Sequence, residues 1–472
     1  MAEKRQYFLC GIGGSGMLPL ALILRAQGHA VEGSDRALDQ GRTAPKFDYL
    51  RAQGIALHPQ DGSGVKSGKQ ILVASAAVED TVADVVAARR FGAPLMTRAT
   101  LLAELFNAAP MSLGVAGTSG KSTTTAMVGW ILYRAGLDPT VMNGAVMKNF
   151  ASADAPFASA LVGKSGLFVS EVDESDGSIA QYAPKIAVVT NISLDHKSMD
   201  ELRALFADFV AKADVAVLNL DNPETAALAR GLKEDRRRTF SLADAGANFS
   251  ASNIAAQPYG VSFTAFGAAR ARRIDLKMPG RHNVSNALAA IAAATACGVA
   301  LEDAAQALDD FAGVKRRLDR VGERAGVTVI DDFAHNPDKI AASLRTLHDF
   351  PGRLIVLFQP HGFGPLKKMR GEFIDCFAEY LSTGDILVMP EPVYFGGTVD
   401  RSVSSRDIID GVTKAGRSAL AFSSRPECGD FIVGEARAGD RVVVMGARDD
   451  TLTQFASDIL DRIGAERRRA AK

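Results

Sequence analysis

Short apolar runs alternate along this chain with segments whose apolar positions recur every three to four residues, the signature of buried strands covered by amphipathic helices. Residues 7–10 read as a strand, 17–26 as a helix and 29–33 as a second strand. Residues 71–75, 81–91, 94–96 and 99–106 continue as strand, helix, strand and helix, and the pattern breaks at 107–110. A strand over 111–116 and a helix over 123–135 then open a second series. Strands follow over 167–170, 186–191 and 214–220, and the stretch 224–266, with Pro258 and Tyr259, reads as an antiparallel extension. An Ala-rich helix ends near Gly298, and 301–311 is a shorter one. Beyond 313–319 the theme repeats: strand 328–331, helix 339–348, strand 354–358, helix 373–381, and strands 385–389 and 441–445. Alternation of this kind predicts the α/β class with parallel sheets. The expected domains are 1–108, 109–313 and 314–472.

Length and charge narrow the picture. A chain of 472 residues exceeds one hydrophobic core, in keeping with three domains. Lys plus Arg and Asp plus Glu both total 54, and a net charge of zero argues against nucleic-acid or membrane-surface partners. Cys10, Cys297, Cys376 and Cys428 lack C-x-x-C spacing, so neither a zinc site nor a disulfide framework is expected. The N-terminus enters a strand without an apolar leader, and no run is long enough to span a bilayer, so the expected location is cytoplasmic.

Two glycine loops carry the candidate chemistry. The first, Gly11-Ile-Gly13-Gly14-Ser15-Gly16, lies between strand and helix, with Asp35 ending the next strand where a Rossmann carboxylate meets a ribose hydroxyl. Alone it suggests NAD, but such loops serve any diphosphate, including that of a UDP-sugar. The second, Gly117-Thr118-Ser119-Gly120-Lys121-Ser122-Thr123, is a phosphate loop at a helix start. There backbone N–H groups close on anionic oxygens, Lys121 spans two phosphates, and Ser122 offers a hydroxyl to Mg²⁺. A hydride-transfer enzyme leaves this second loop unexplained. The acidic run Glu171-Val-Asp173-Glu174-Ser-Asp176 ends one strand, and Asp195-His196 follow the end of the next, where a metal site is expected in an open α/β sheet. Asn283 and Asn286 share a helix face, and capping explains one of them. Arg316 and Arg317 form a basic hinge whose guanidinium groups reach toward phosphates.

With these residues assembled, the chain resembles the Mur ligase family over essentially its whole length, and its alanine-adding members most. The resemblance rests on 11–17, the segment running to Arg98, 117–125, 171–176, Thr190-Asn191 with Asp195-His196, 280–288, 316–319, 331–337 and Gln359-Pro360-His361. It implies a UDP-binding N-terminal Rossmann-like domain, a central P-loop-type ATPase domain and a C-terminal Rossmann-like domain that brings the amine. The implied reaction joins an amino acid or short peptide to the carboxylate of a UDP-N-acetylmuramate-type substrate through an acyl phosphate, with ATP and Mg²⁺. Gly13, Gly14, Ser15, Gly16, Asp35, Ser75 and Arg98 fall on the UDP-substrate side. Lys121, Glu171 and His196 carry the catalytic role, with Ser122, Glu171 and His196 as the metal ligands. The ATP set is Gly117, Thr118, Gly120, Lys121, Ser122, Thr123, His282, Asn283, Arg316, Arg317 and Asp332. His335, Asn336, His361 and Lys367 fall on the amino-acid side. The resemblance also implies closure of the last domain about 314–319.

The chain departs from its alanine-adding relatives at His335-Asn336-Pro337, where they show His-His-Pro. It departs again at 360–365, where both arginines of their Pro-His-Arg-Tyr-Thr-Arg segment are lost, leaving Lys367, Lys368 or Arg370 as replacements. Two alternatives therefore stand beside single-amino-acid ligation. One is a recycling ligase that adds a stem tripeptide, for which the Gly362-Phe363-Gly364 turn makes room. The other is a non-catalytic nucleotide-binding relative, against which the retained Lys121, Glu171 and His196 argue.

Overall fold

The computed structural model describes residues 4–75, 78–194, 197–393, 401–447, 449 and 451–470, with side chains to 465. The first sheet holds β1 (Gln6–Cys10), β2 (Ala30–Ser34), β3 (Ala56–His58), β4 (Gln70–Ala74) and β5 (Leu95–Thr97). Its helices are α1 (Met17–Ala26), α2 (Arg36–Asp39), α3 (Ala44–Ala52), α4 (Ala83–Phe91) and α5 (Arg98–Asn107). All five strands run parallel in the order β3-β2-β1-β4-β5. The order reverses beside β1, which places Gly11–Gly16 at the crevice where such sheets bind ligands.

The central sheet contains β6 (Met111–Ala116), β7 (Thr140–Met142), β8 (Ala160–Leu161), β9 (Leu167–Glu171), β10 (Ile186–Val189), β11 (Val215–Asn219), β12 (Arg237–Ser241), β13 (Phe249–Gln257), β14 (Gly260–Gly267) and β15 (Arg270–Leu276). Its helices are α6 (Lys121–Arg134), α7 (Met199–Ala211), α8 (Pro223–Arg230), α9 (Arg281–Ala296) and α10 (Leu301–Asp309). The strand order is β15-β14-β13-β12-β11-β10-β6-β9-β7-β8. The expected antiparallel extension over 224–266 is therefore only partly found. Asn222 caps α8, with Pro223 in its first turn, β12 and β13 continue the parallel sheet, and antiparallel pairing is seen between β14 and β15. Helix α9 owes its composition to its place: Ala287 through Ala294 are fully buried, and alanine lets α6 approach closely.

One apolar cluster runs without a break from the first sheet into the second, including Leu9, Leu102 and Phe106 together with Phe168, Val189 and Phe206. Phe106 stands edge-on to Phe168 at 5.9 Å and to Tyr182 at 5.3 Å between ring centroids. Next to it, Asn107 donates to the Gln181 carbonyl at 2.8 Å and accepts from the Ala183 N–H at 2.9 Å. These contacts lie inside one of the two compact units into which the chain divides, Met1–Ala255 with Val261–Val314; the other is Ala256–Gly260 with Lys315–Lys472.

The second unit holds a sheet of β16 (Asp319–Arg324), β17 (Val327–Asp332), β18 (Leu354–Gln359), β19 (Ile386–Pro390), β20 (Ser418–Phe422) and β21 (Arg441–Gly446). Its helices are α11 (Pro337–His348), α12 (Phe363–Lys368), α13 (Arg370–Tyr380), α14 (Ser405–Lys414), α15 (Arg425–Glu435) and α16 (Thr451–Ala470). The order is β16-β17-β21-β18-β19-β20, parallel except for the β16 edge. Apolar clusters cover both faces, which is why β18 and β21 are wholly buried. The glycine-rich turn expected at 362–364 is instead the start of α12, with Gly362 as its N-cap at φ +151°.

Candidate active site

The phosphate loop joins β6 to α6, with Lys121 as the first helical residue. Gly117 (φ +133°) and Gly120 (φ +87°) adopt backbone conformations that L side chains rarely hold. A Cβ at 117 would collide with Thr190 Oγ1, and one at 120 would lie 2.5 Å from Asn286 Oδ1. Asn191 braces the loop: its Oδ1 accepts from Thr118 Oγ1 at 2.6 Å and from the Ser119 N–H at 3.0 Å, while its Nδ2 donates to the Ser119 carbonyl at 3.0 Å. The end of β10 thus holds the end of β6 in shape.

The acidic turn after β9 meets the same loop. Ser122 Oγ donates to Glu171 Oε2 at 2.8 Å, and that oxygen also accepts the Gly144 N–H at 3.0 Å. Lys121 Nζ donates to the Gly117 carbonyl and to Glu174 Oε2, both at 2.8 Å, with Asp173 Oδ1 at 4.0 Å. Burial pulls the ammonium down, but Glu174, Asp173 and Glu171 outweigh it and hold Lys121 above the usual lysine range. Ser122 and Glu171, two of the three expected metal ligands, are therefore together. His196, with Asp195, lies outside the described residues, and among the described residues no group of three His, Cys, Asp or Glu side chains is placed to hold a metal.

At the start of α9, Asn283 donates to the Pro279 carbonyl at 2.7 Å and His282 is exposed in the first turn. Gly280, not an asparagine, is the N-cap. Asn286 is the residue that touches the phosphate loop, with its Oδ1 accepting from Thr124 Oγ1 at 3.3 Å.

The first glycine loop is fixed from both sides at Gly13. Asp35 Oδ2 accepts the Gly13 N–H at 2.8 Å while its Oδ1 caps α2 through the Ala37 N–H at 2.8 Å. Both oxygens of the expected ribose ligand are thus engaged by main chain. The buried Lys46 donates to the Gly13 carbonyl at 3.0 Å. Gly14 N bonds back to the Gly11 carbonyl at 3.0 Å, Ser15 is exposed, Gly16 caps α1, and Ser75 follows β4, half-buried.

In the second unit the basic stretch is no free linker. Arg316 is buried at φ +61°, with Nη2 on the Gly446 carbonyl at 2.7 Å and Nε on Asp331 Oδ1 at 3.3 Å. Its guanidinium is taken up inside this unit, which corrects the expectation of a phosphate-seeking side chain. Asp332 is likewise turned inward, accepting from Ser343 Oγ and from the Leu318 N–H. Arg317 stacks 4.5 Å over the Phe333 ring. Asn336 caps α11 through the Lys339 N–H at 3.0 Å, so its side-chain oxygen is committed to the helix. His335 Nδ1 donates to the Phe333 carbonyl at 2.8 Å, and its ring meets that of His361 edge-on at 5.4 Å. Burial, then Lys339, push its imidazole down to about 3, so it is neutral near pH 7. Lys367 is exposed on α12.

Glu174, Asn191, Asn286 and Lys46 touch the two glycine loops although their sequence positions do not point to a ligand role. The first three lie within the motif stretches, whereas nothing in the local sequence marks Lys46.

A phosphate loop facing an acidic strand-end turn, with a second glycine loop on the adjoining sheet of the same unit, is an arrangement suited to an enzyme that takes a nucleotide together with a second anionic substrate. Known proteins agree. The sequence matches the descriptions "Mur ligase family, catalytic domain" over residues 7–109, "Mur ligase middle domain" over 115–294 and "Mur ligase, glutamate ligase domain" over 316–448. It is 35% identical to a UDP-N-acetylmuramate–L-alanine ligase from Novosphingobium aromaticivorans, covering 97% of this chain and 96% of that protein. It is 34% identical to one from Jannaschia, covering 96% and 94%. Among solved structures, a UDP-N-acetylmuramate-alanine ligase from Thermotoga maritima superposes with a TM-score of 0.79 at 25% identity, covering 99% of this chain and 100% of that one. A murein peptide ligase from Psychrobacter arcticus gives 0.72 at 25% identity, covering 98% and 99%. The chain belongs to the Mur ligase family, and is by that membership a nucleotide-dependent acid–amino-acid ligase. Among the described residues no helix is long and apolar enough to cross a membrane.

Proposed function

We propose that this protein joins the carboxylate of UDP-N-acetylmuramate to the amine of an amino acid, L-alanine foremost, converting ATP to ADP and phosphate in peptidoglycan precursor synthesis in the cytoplasm. The observation that carries this reading is the Lys121–Ser122 phosphate loop facing Glu171 and Glu174 in the same compact unit as the Gly11–Gly16 loop. A carboxylate is a poor electrophile. A carboxylate oxygen therefore bonds to the γ-phosphorus as the bond from that phosphorus to the bridging oxygen breaks, and ADP leaves. The amine nitrogen next attacks the acyl carbon, the carbon–oxygen bond to phosphate breaks, inorganic phosphate departs and the nitrogen loses a proton.

Phosphoryl transfer of this kind is catalysed by positioning and charge neutralisation. Lys121 supplies a cation at the phosphates, and the N–H groups of the loop, held by Asn191, supply fixed donors. Ser122 and Glu171, with His196, would hold Mg²⁺. The hydroxyl and carboxylate, 2.8 Å apart, are hard oxygen donors of the type a largely hydrated Mg²⁺ takes. When bound, the ion neutralises phosphoryl oxygens. Thr118, Thr123, His282, Asn283 and Arg317 are proposed for the nucleotide, and Gly13, Gly14, Ser15, Gly16, Ser75 and Arg98 for the UDP-sugar. His335, His361 and Lys367 are proposed for the amine. A stem tripeptide is the second amine considered, because a side chain at Gly364 would meet nothing within 4 Å and that position leaves room.

The experiment is phosphate release from Mg-ATP and UDP-N-acetylmuramate, screened over single amino acids and the stem tripeptide. Stimulation by L-alanine is expected; no stimulation by any amine overturns the ligase reading.

A further inference from the structure

Other arginines of this chain that are buried or half-buried are taken up in networks, such as Arg353 with Glu435 and Asp440, Arg425 with Asp449 and Arg316 with Asp331. Arg98 is different. It is half-buried, yet among the described residues its guanidinium makes no hydrogen bond or ion pair. It opens α5, capped by Thr97, and its side chain lies across the first glycine loop. A Cβ at Gly16 would sit 3.1 Å from Arg98 Cδ, 3.2 Å from Nη1 and 3.3 Å from Nε. A side chain at 16 would thus press on the arginine above it, which would have to give by a few tenths of an ångström.

Two further observations give Arg98 a direction. Its helix is fastened to the central sheet at the other end by Phe106 and Asn107, so its position relative to the phosphate loop is set by packing. Its charge also reaches Tyr182, which packs against Phe106 of the same helix: burial pushes that phenol well up, Arg98 opposes the rise, and Asp176, Asp173 and Glu171 add to it from the acidic turn. The cation at the other end of the loop is Lys46, bonded at Gly13. The loop therefore carries two cations with different neighbours, Lys46 at Gly13, where Asp35 also bonds, and Arg98 at Gly16, on the helix that packs against Phe168 and Tyr182.

We propose that Arg98 receives the carboxylate of the acid substrate and holds it for phosphoryl transfer, while the diphosphate lies toward Gly13 and Lys46. This rests on the UDP-N-acetylmuramate reading above. A guanidinium there lowers the repulsion between a carboxylate and an incoming triphosphate, and its planar fork orients a carboxylate oxygen. Arg98 is thus a catalytic residue of the first half-reaction, not a general contact to UDP.

The test compares binding of UDP-N-acetylmuramate with that of UDP-N-acetylglucosamine, the same nucleotide sugar without the carboxylate-bearing ether, by calorimetry without ATP. In Arg98→Ala, affinity for UDP-N-acetylmuramate should fall about 10- to 100-fold, the range of a lost charge-assisted contact, while UDP-N-acetylglucosamine binding stays within about twofold. Arg98→Lys, which keeps the charge without the fork, should lose less. Equal loss for both sugars in Arg98→Ala assigns the residue to the diphosphate and overturns the inference, as does no loss for either. Wild-type protein that binds neither sugar overturns the substrate reading itself.

Discussion

Lys121 and Glu174 form an ion pair 2.8 Å long at the mouth of the phosphate loop, with the Glu174 side chain only 3% exposed. The cation of the loop is thereby held by a carboxylate that is almost out of reach of solvent. Removing one member of a buried pair leaves the other uncompensated, at a cost of about 3–5 kcal/mol. Lys121→Ala should therefore abolish turnover and also lower the urea midpoint. Lys121→Ala with Glu174→Gln should regain much of that stability but none of the activity. Additive stability losses in the double variant would show that the pair carries no coupling.

Asn191 and Gly120 shape the loop without supplying charge. Asn191→Ala removes three hydrogen bonds to residues 118 and 119. It should raise KM for ATP about tenfold or more, through lost preorganisation, with little change in melting temperature. Gly120→Ala must relieve both a φ of +87° and the approach of Asn286, so nucleotide binding should be lost. Wild-type ATP affinity in Gly120→Ala would contradict the loop geometry.

Arg316 predicts a stability defect, not a nucleotide defect. It is 8% exposed and pairs with Asp331, which is wholly buried. Arg316→Ala should cost about 3–5 kcal/mol in denaturant titration, and Arg316→Lys should not restore it, because lysine lacks the fork that reaches Gly446 and Asp331 together. A variant that stays fully stable but binds ATP poorly would return Arg316 to the nucleotide site.

His335 sets a pH dependence. Its imidazole falls from 6.5 to about 3 in the folded chain, so between these values the unfolded chain binds the extra proton. The linked stability is fully present above about pH 6.5 and is lost as pH falls toward 3, by at most about 1.4 kcal/mol per pH unit. Urea midpoints measured from pH 7 to pH 5 should decline, and His335→Gln should flatten that limb. An unchanged slope in the variant assigns the acid sensitivity elsewhere.

Much of this was legible in the sequence because the periodicities of buried parallel strands and covering helices are strong, and because each glycine loop sits between them. The strands at 6–10, 111–116 and 167–171 fall where their apolar runs put them. What was not legible has local causes. Helix α8 follows a Pro223 first turn that a polar stretch disguises, and α12 begins at a glycine that reads as a turn. The basic run at 315–317 carries no sign that Arg316 folds back onto Asp331. Asn336 reads as a ligand beside His335, and its side-chain oxygen caps α11. Lys46 becomes visible only when α3 is packed against Gly13.

The fastening of α5 by Phe106 and Asn107 has one more consequence. Because the two glycine loops hang from one uninterrupted apolar core, a ligand that bridges them has to match a spacing set by packing far from either loop, so loosening Phe106 or Asn107 should weaken such a ligand without touching a residue at either loop.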